Sequence, residues 1–68
     1  MYSLDKMVRM IKAKTDFRTN AQIGAASGVT GQAIHNMTKS NSAKIGTLND
    51  MAKACGVTLT ELISWSEE

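Results

Sequence analysis

Apolar residues recur along most of the chain at spacings of three and four residues, which is the period of an α-helix. Because the sequence contains no proline, no repeat and no low-complexity segment, this pattern predicts a series of helices joined by short turns. The first helix is expected to run from the N-cap Ser3 to about Lys14. Its apolar side carries Leu4, Val8 and Ile11, with Met7 at the edge of that side.

The second predicted helix is short and consists almost entirely of small residues. Thr19 is followed three residues later by Gln22, which is the spacing of a capping box, so the helix is expected from Asn20 to about Ser27. Gly24 within it costs about 1 kcal/mol relative to alanine, and close packing against another helix is the expected compensation.

A tight turn and a third helix are expected directly afterwards. Gly28 fits a C-cap, and Thr30 can cap a helix from about Gly31 to Lys39. Two short helices separated by so few residues, with glycine in the turn, have the geometry of a helix-turn-helix. The apolar residues expected to face the core from this third helix are Ala33, Ile34 and Met37.

The outward side of the third helix is unusual because it carries amides and an imidazole. Gln32, His35, Asn36 and Lys39 share one face at helical spacing. Amide side chains offer a donor and an acceptor side by side, which matches N6 and N7 of adenine in the major groove of DNA. The same residues also fit an ordinary polar, solvent-exposed face.

The residue pattern after the third helix predicts a loop and two more helices. Residues 40–46 are small and polar, and the fourth helix begins at Ser42, Lys44 or Thr47 and ends at Gly56. Thr58 with Glu61 forms a second capping-box pattern, which opens a fifth helix. The apolar residues of these two helices are Leu48, Met51, Ala52, Cys55, Leu59, Leu62, Ile63 and Trp65. The expected fold class is therefore all-α, a compact bundle of five short helices.

The length of the chain predicts a single domain, and its charge distribution predicts a basic body. The 68 residues suffice for one domain, residues 1–68. Residues 58–68 contain three glutamates and no Lys or Arg, so residues 1–57 hold eight positive and three negative charges, a net of +5. A basic body with an acidic end suits a polyanionic partner, and it equally suits a solvated surface with a frayed acidic end.

Several classes of function are disfavoured by what the sequence lacks. Cys55 is the single cysteine and His35 the single histidine, so neither an internal disulfide nor a zinc site is expected, and Cys55 is interpreted as a buried structural thiol. The sequence shows no nucleophile with a matching base and no glycine-rich phosphate loop, so we expect neither enzymatic activity nor a cofactor. The absence of a long apolar run or a signal-peptide pattern predicts a cytoplasmic protein that does not enter the membrane.

Three stretches of the chain resemble a known family. TNAQIG, GVTGQAIHNM and LNDMAKACGVTLTEL, which lie within residues 17–62, are similar to the motifs of the Cro/repressor (XRE-type) helix-turn-helix family of phage and bacterial regulators. The resemblance implies a lambda-repressor-like DNA-binding domain, most like short Cro-type regulators of a phage or prophage. Such a protein acts as a sequence-specific repressor or related transcription regulator on double-stranded DNA.

The resemblance also implies roles for individual residues. The positions that correspond to base readers are Gly31, Gln32, His35 and Asn36, although Gly31 brings no side chain to its position. The positions that correspond to phosphate contacts are Asn20, Thr30, Lys39, Ser40, Asn41 and Lys44. Arg18 is an open case, because the connection before the second helix is one residue longer than is usual. Ser27 departs from the family pattern, in which an apolar residue is common at that position.

The sequence leaves open whether the protein pairs with a second copy or with another protein. A homodimer is expected at least on DNA, because short regulators of this kind bind paired half-sites, and Trp65 fits either a dimer contact or a core residue. One alternative is an antitoxin that shares DNA binding with a partner protein, which an exposed patch around Leu59, Ile63 and Trp65 would favour. Another is a protein-interaction module on the same fold. The sequence does not indicate the operator, the promoter, the direction of regulation or the source organism.

Overall fold

Five helices form in the computed structural model, which describes residues 1–67. They are α1 (Leu4–Lys14), α2 (Asn20–Ser27), α3 (Gly31–Ser40), α4 (Ile45–Cys55) and α5 (Leu59–Ser64). Within residues 1–67 the only β-type pairing is one isolated antiparallel bridge between Tyr2 and Glu67. The all-α prediction is confirmed. Glu68, one of the three glutamates of the acidic end, lies outside the described residues.

Side-chain caps place the starts of four helices where the sequence predicts them. Ser3 Oγ accepts a hydrogen bond from Lys6 N, and Thr30 Oγ1 accepts one from Ala33 N. At Thr19 both halves of the capping box form. At Thr58, Oγ1 accepts from Glu61 N, but the return bond from the Glu61 side chain is not made within residues 1–67.

The connection between α3 and α4 is shorter than predicted. Helix α3 continues to Ser40, and α4 starts at Ile45, so Gly46 lies inside a helix and the loop consists of residues 41–44. The predicted start of α4 was ambiguous for a physical reason. Its N-cap, Lys44, has no side-chain oxygen and makes no side-chain capping bond, so the sequence carries no capping signal there.

The core is filled mainly by α1, with one or two buried apolar side chains from each of the other helices. Met7 was predicted at the edge of the apolar side of α1, but it is completely buried, because the helix faces the core across more than one row of side chains. The buried hydrophobic residues are Leu4, Met7, Val8, Ile11, Ile23, Ile34, Met37, Met51, Ala52 and Leu62. Cys55 packs against this cluster but is only half-buried, a correction to the predicted buried thiol, and this partial burial raises the pKa of its thiol.

Helices α2 and α3 lie unusually close together. A Cβ atom added at Gly24 would come within 2.6 Å of the Thr30 backbone carbon and 2.9 Å of Gly31 N. Gly28 ends α2 in the left-handed conformation with φ of 77°, which turns the chain directly into α3. The predicted close packing at Gly24 is confirmed, and it fixes the position of α3 relative to α2.

Among the described residues, every helix is too short or too polar to cross a membrane.

Candidate nucleic-acid interface

The outward face of α3 carries a hydrogen-bonded pair of amides. Gln32 and Asn36 are both exposed, and Gln32 Nε2 donates to Asn36 Oδ1 at 3.1 Å. This bond holds two side chains one helical turn apart in a common orientation. It leaves Gln32 Oε1 as a free acceptor, and both amide nitrogens retain protons to donate. His35 and Lys39 are exposed on the same helix.

Gly31 belongs to the contact between the helices, in contrast to its predicted base-reading role. A Cβ atom at Gly31 would lie 2.9 Å from both Cα and N of Ala21. This position on α3 therefore faces the backbone of α2, where only hydrogen fits. This packing disfavours a base-reading role for Gly31, whose assignment stays a prediction.

Asn20, the first residue of α2, has a buried side-chain oxygen without a hydrogen-bond partner among the described residues. Asn20 as a whole is half-buried, and the buried oxygen is its Oδ1. An unpaired buried acceptor is unfavourable, so the amide gains little from its present contacts. With Oδ1 turned inward, Nδ2 is the atom that remains for an external acceptor such as a phosphate oxygen.

The other predicted phosphate contacts differ in what their side chains can still donate. Thr30 Oγ1 accepts from Ala33 N and keeps its proton available, whereas Ser40 Oγ already donates to Asn36 O at 2.9 Å. Lys39 and Lys44 are exposed. A groove of about 490 Å³ runs between α3 and the start of α4, with Asn36 and Ser40 on one wall and Lys44 on the other.

Asn41 is exposed, but both polar atoms of its side chain already make hydrogen bonds within the protein. Its Oδ1 accepts from Leu4 N at 2.8 Å, and its Nδ2 donates to the Tyr2 carbonyl at 3.1 Å. Both polar atoms of the side chain thus hold the N-terminal segment. These bonds disfavour Asn41 as a phosphate contact, and that assignment stays a prediction.

Arg18 is exposed, and its side chain bonds the backbone at and just after the end of α1. Its guanidinium Nη1 donates to the carbonyls of Thr15 and Phe17 at 3.2 and 3.3 Å, and lies 3.5 Å from that of Lys12. A cation at the C-terminus of a helix is stabilised by the unpaired carbonyls there. This arrangement gives Arg18 a structural role and disfavours its assignment as a phosphate contact.

One signal for this surface lies in the sequence and was missed by the motif comparison. Residues 17–49, which include α2, α3 and the start of α4, contain three Lys or Arg residues and not one Asp or Glu. All six acidic residues lie outside this segment. The segment that carries the amide pair therefore offers no side chain that repels an anion.

The side chain of Trp65 is only partly accessible to a partner protein. It is half-buried, packs against the core and lies under the ammonium of Lys14, whose Nζ is 5.8 Å from the ring centroid. Leu59 is also half-buried, whereas Ile63 is exposed. The apolar patch expected around these three residues is thus reduced to Ile63.

No protein-family model, curated protein or solved structure matches this chain. The resemblance to the Cro/repressor family therefore stays a prediction.

Proposed function

We propose that the protein is a sequence-specific transcription regulator that binds double-stranded DNA, with α2 and α3 acting as a helix-turn-helix. The observation that carries the proposal is the exposed Gln32–Asn36 amide pair on a helix that lies within an acid-free stretch of the chain. An α-helix fits the major groove, where amides have the donor and acceptor pattern needed to read bases.

In the proposed complex, the amide pair reads base edges. Gln32 Oε1 accepts from adenine N6, and an amide proton of Gln32 or Asn36 is donated to adenine N7. Their mutual hydrogen bond fixes both groups before binding, which lowers the entropy that must be lost on DNA. His35 and Lys39, exposed on the same helix, complete the surface that faces the groove.

Phosphate contacts on both sides of α3 fix the position of the protein along the DNA. On one side, Asn20 Nδ2 and the N-terminus of α2 meet the backbone, with the Thr30 hydroxyl nearby as a further donor. On the other side, Lys39 and Lys44 supply positive charge, and the N-terminus of α4 begins without a side-chain cap. Ser40 contributes to this side only if its bond to Asn36 O is exchanged for a phosphate.

The number of cations on this surface favours binding as a dimer on a palindromic operator. One copy offers only a few phosphate contacts, and such a complex is weak at physiological salt. Two copies on half-sites one helical turn apart double these contacts. Trp65 is the less suitable candidate for the dimer contact, because it is half-buried in the core of its own chain.

Selection from a random duplex-DNA pool tests the proposal, with Gln32→Ala beside the wild type. We expect a palindromic consensus from the wild type and a loss of about 1–3 kcal/mol at one base position in Gln32→Ala. Asn49→Ala is a matched control, since Asn49 is also an exposed helical amide but lies beside Asp50 on α4. The control should keep the full consensus.

A wild-type protein that yields only weak, salt-sensitive binding without a consensus would contradict the base-reading assignment. Capture of a specific protein partner by the same preparation would then favour the antitoxin or protein-interaction alternative. In the present structure the exposed Ile63 is what remains of the patch that this alternative requires.

A further inference from the structure

Asn41 combines two structural features that are seldom found in one residue. It is the only non-glycine residue with positive φ among residues 1–67, with φ of 54°, and it ends α3 by donating its backbone N–H to Met37 O. Its side-chain Oδ1 also accepts a hydrogen bond from the backbone N–H of Leu4. Leu4 is the first residue of α1, so its N–H has no acceptor within that helix. One residue thus closes the end of α3 with its backbone N–H and the beginning of α1 with its side chain.

Asn41 bonds the N-terminal segment, which in turn pairs with residues 66 and 67. The Tyr2 hydroxyl donates to the Asn41 carbonyl at 3.1 Å, and Asn41 Nδ2 donates to the Tyr2 carbonyl. Ser3 N in turn donates to Ser66 O at 2.7 Å, next to the bridge between Tyr2 and Glu67. We call the bonds between Asn41 and residues 2 and 4 the Asn41 clasp.

The position of the clasp links it to the proposed DNA surface. Asn41 separates Lys39 and Ser40, at the end of α3, from Lys44, at the start of α4. The loop of residues 41–44 is short, and Ser42 N donates to Met37 O, so its path depends on the backbone conformation at Asn41. Fixing Asn41 to α1 therefore fixes where Lys44 stands relative to α3.

We propose that Asn41 is a positioning residue, whose clasp to the N-terminal segment holds residues 41–44 and thereby places Lys44 for its phosphate contact. The proposal rests on the DNA-binding function above. It differs from a direct role because Asn41 itself does not touch DNA. Without the clasp, residues 41–44 no longer hold Lys44 within reach of its phosphate, so one backbone contact is lost and the affinity falls for every sequence alike.

The variant Asn41→Gly tests the side-chain bonds of the clasp without changing the backbone conformation at position 41. Asn41→Gly accepts the positive φ but removes both side-chain bonds, whereas Asn41→Asp keeps an acceptor for Leu4 N. Ser3→Ala is the matched control, because it removes a different cap from the same end of α1 and leaves the clasp intact. All variants are compared at a temperature at which each is fully folded.

The first measurement is amide hydrogen exchange, which does not depend on DNA. We expect the Ser42 amide of Asn41→Gly to exchange about tenfold faster than in the wild type, because local opening becomes easier. Ser3→Ala should retain the wild-type protection at Ser42. Asn41→Asp keeps the acceptor for Leu4 N but loses the donor to the Tyr2 carbonyl, so its exchange rate should lie between those of the wild type and Asn41→Gly. Faster exchange in Asn41→Asp to the same extent as in Asn41→Gly would overturn the role of the bond to Leu4.

The second measurement is the affinity for a labelled duplex as a function of salt, for wild type, Asn41→Gly and Ser3→Ala. For Asn41→Gly we expect an affinity about tenfold lower and a salt slope smaller by about one, which corresponds to one lost phosphate contact. A simple loss of stability would lower the active fraction and leave the slope unchanged, as we expect for Ser3→Ala.

The outcomes distinguish the two proposals. If the wild type binds DNA and Asn41→Gly has the same affinity and slope, the role of Asn41 is wrong while the proposed function stands. If Ser3→Ala lowers the slope equally, the end of α1 rather than Asn41 positions the loop, and the assignment to Asn41 is overturned. If the wild type binds no duplex, the proposed function fails and the positioning of Lys44 for DNA fails with it.

Discussion

Helices α1 and α2 are held in the bundle by opposite means. Helix α1 buries four apolar side chains, Leu4, Met7, Val8 and Ile11, whereas α2 buries one, Ile23. Helix α2 is instead fixed by backbone contact, since Gly24 and Ala21 lie directly against the first residues of α3. Side chains can adjust to a change of shape, but backbone atoms in contact cannot. The α2–α3 pair should therefore be the less tolerant part of the molecule, although it contains the smaller residues.

The largest effect is expected when a methyl group is added between α2 and α3. Gly24→Ala places a Cβ 2.6 Å from the Thr30 backbone carbon, so the helices must separate, and we expect a loss of about 3 kcal/mol in the free energy of unfolding. Urea denaturation measures it. The matched control is Gly46→Ala, where the added Cβ has no neighbour within 4 Å.

Gly46→Ala should leave stability unchanged or raise it by up to about 1 kcal/mol, because alanine favours the helix more than glycine does. Equal stability of the two variants would show that the close approach of α2 and α3 does not constrain the fold. On α1, the volume-conserving change Met7→Leu should cost less than about 1.5 kcal/mol, which completes the contrast between the two helices.

A smaller effect of the opposite sign is expected at Ser27. Its side chain is buried, and Oγ has no hydrogen-bond partner among the described residues. Removing an unpaired buried hydroxyl should be favourable, so Ser27→Ala is expected to raise the free energy of unfolding by about 1 kcal/mol. Thermal and urea unfolding measure the gain.

Ser40→Ala provides the comparison for that change. Ser40 is an exposed serine whose Oγ donates to Asn36 O, so its removal should change stability by less than about 0.5 kcal/mol. A loss of stability in Ser27→Ala would mean that Oγ is satisfied, for instance by water, and that α2 is better packed than the unpaired atom indicates.

The smallest effect is expected from Cys55 at alkaline pH. Burial raises the pKa of its thiol above the ordinary value of 9.0, so above about that pH the unfolded chain releases this proton before the folded chain does. The folded state therefore loses stability as the pH rises through this range. Cys55→Ala should show a shallower decline in alkaline urea titrations, and identical slopes would contradict a perturbed thiol.

The starts of most helices could be predicted because their signals are local. Ser3, Thr19, Thr30 and Thr58 each cap the backbone N–H three residues later, so the sequence alone contains the interaction. The start of α4 could not be found in this way, since Lys44 makes no capping bond through its side chain.

The candidate site was predicted less completely, because part of it depends on distant contacts. The spacing of Gln32 and Asn36 was enough to place them on one face of α3. The contact of Gly31 with Ala21 and the bonds of Asn41 to residues 2 and 4 join segments that are far apart in sequence. No local pattern reveals such contacts, whereas the family resemblance implies DNA contacts for both residues.

The most direct test of the account is to map the surface that meets DNA by NMR, through backbone and side-chain amide shifts during titration with duplex DNA. We predict that the changes concentrate at Asn20, at residues 30–40 and at Lys44, and that the side-chain amides of Gln32 and Asn36 shift most when the selected operator replaces a random duplex. Changes confined to Tyr2, Ile63 and their neighbours, or no changes at all, would contradict the assignment of the α2–α3 surface to DNA.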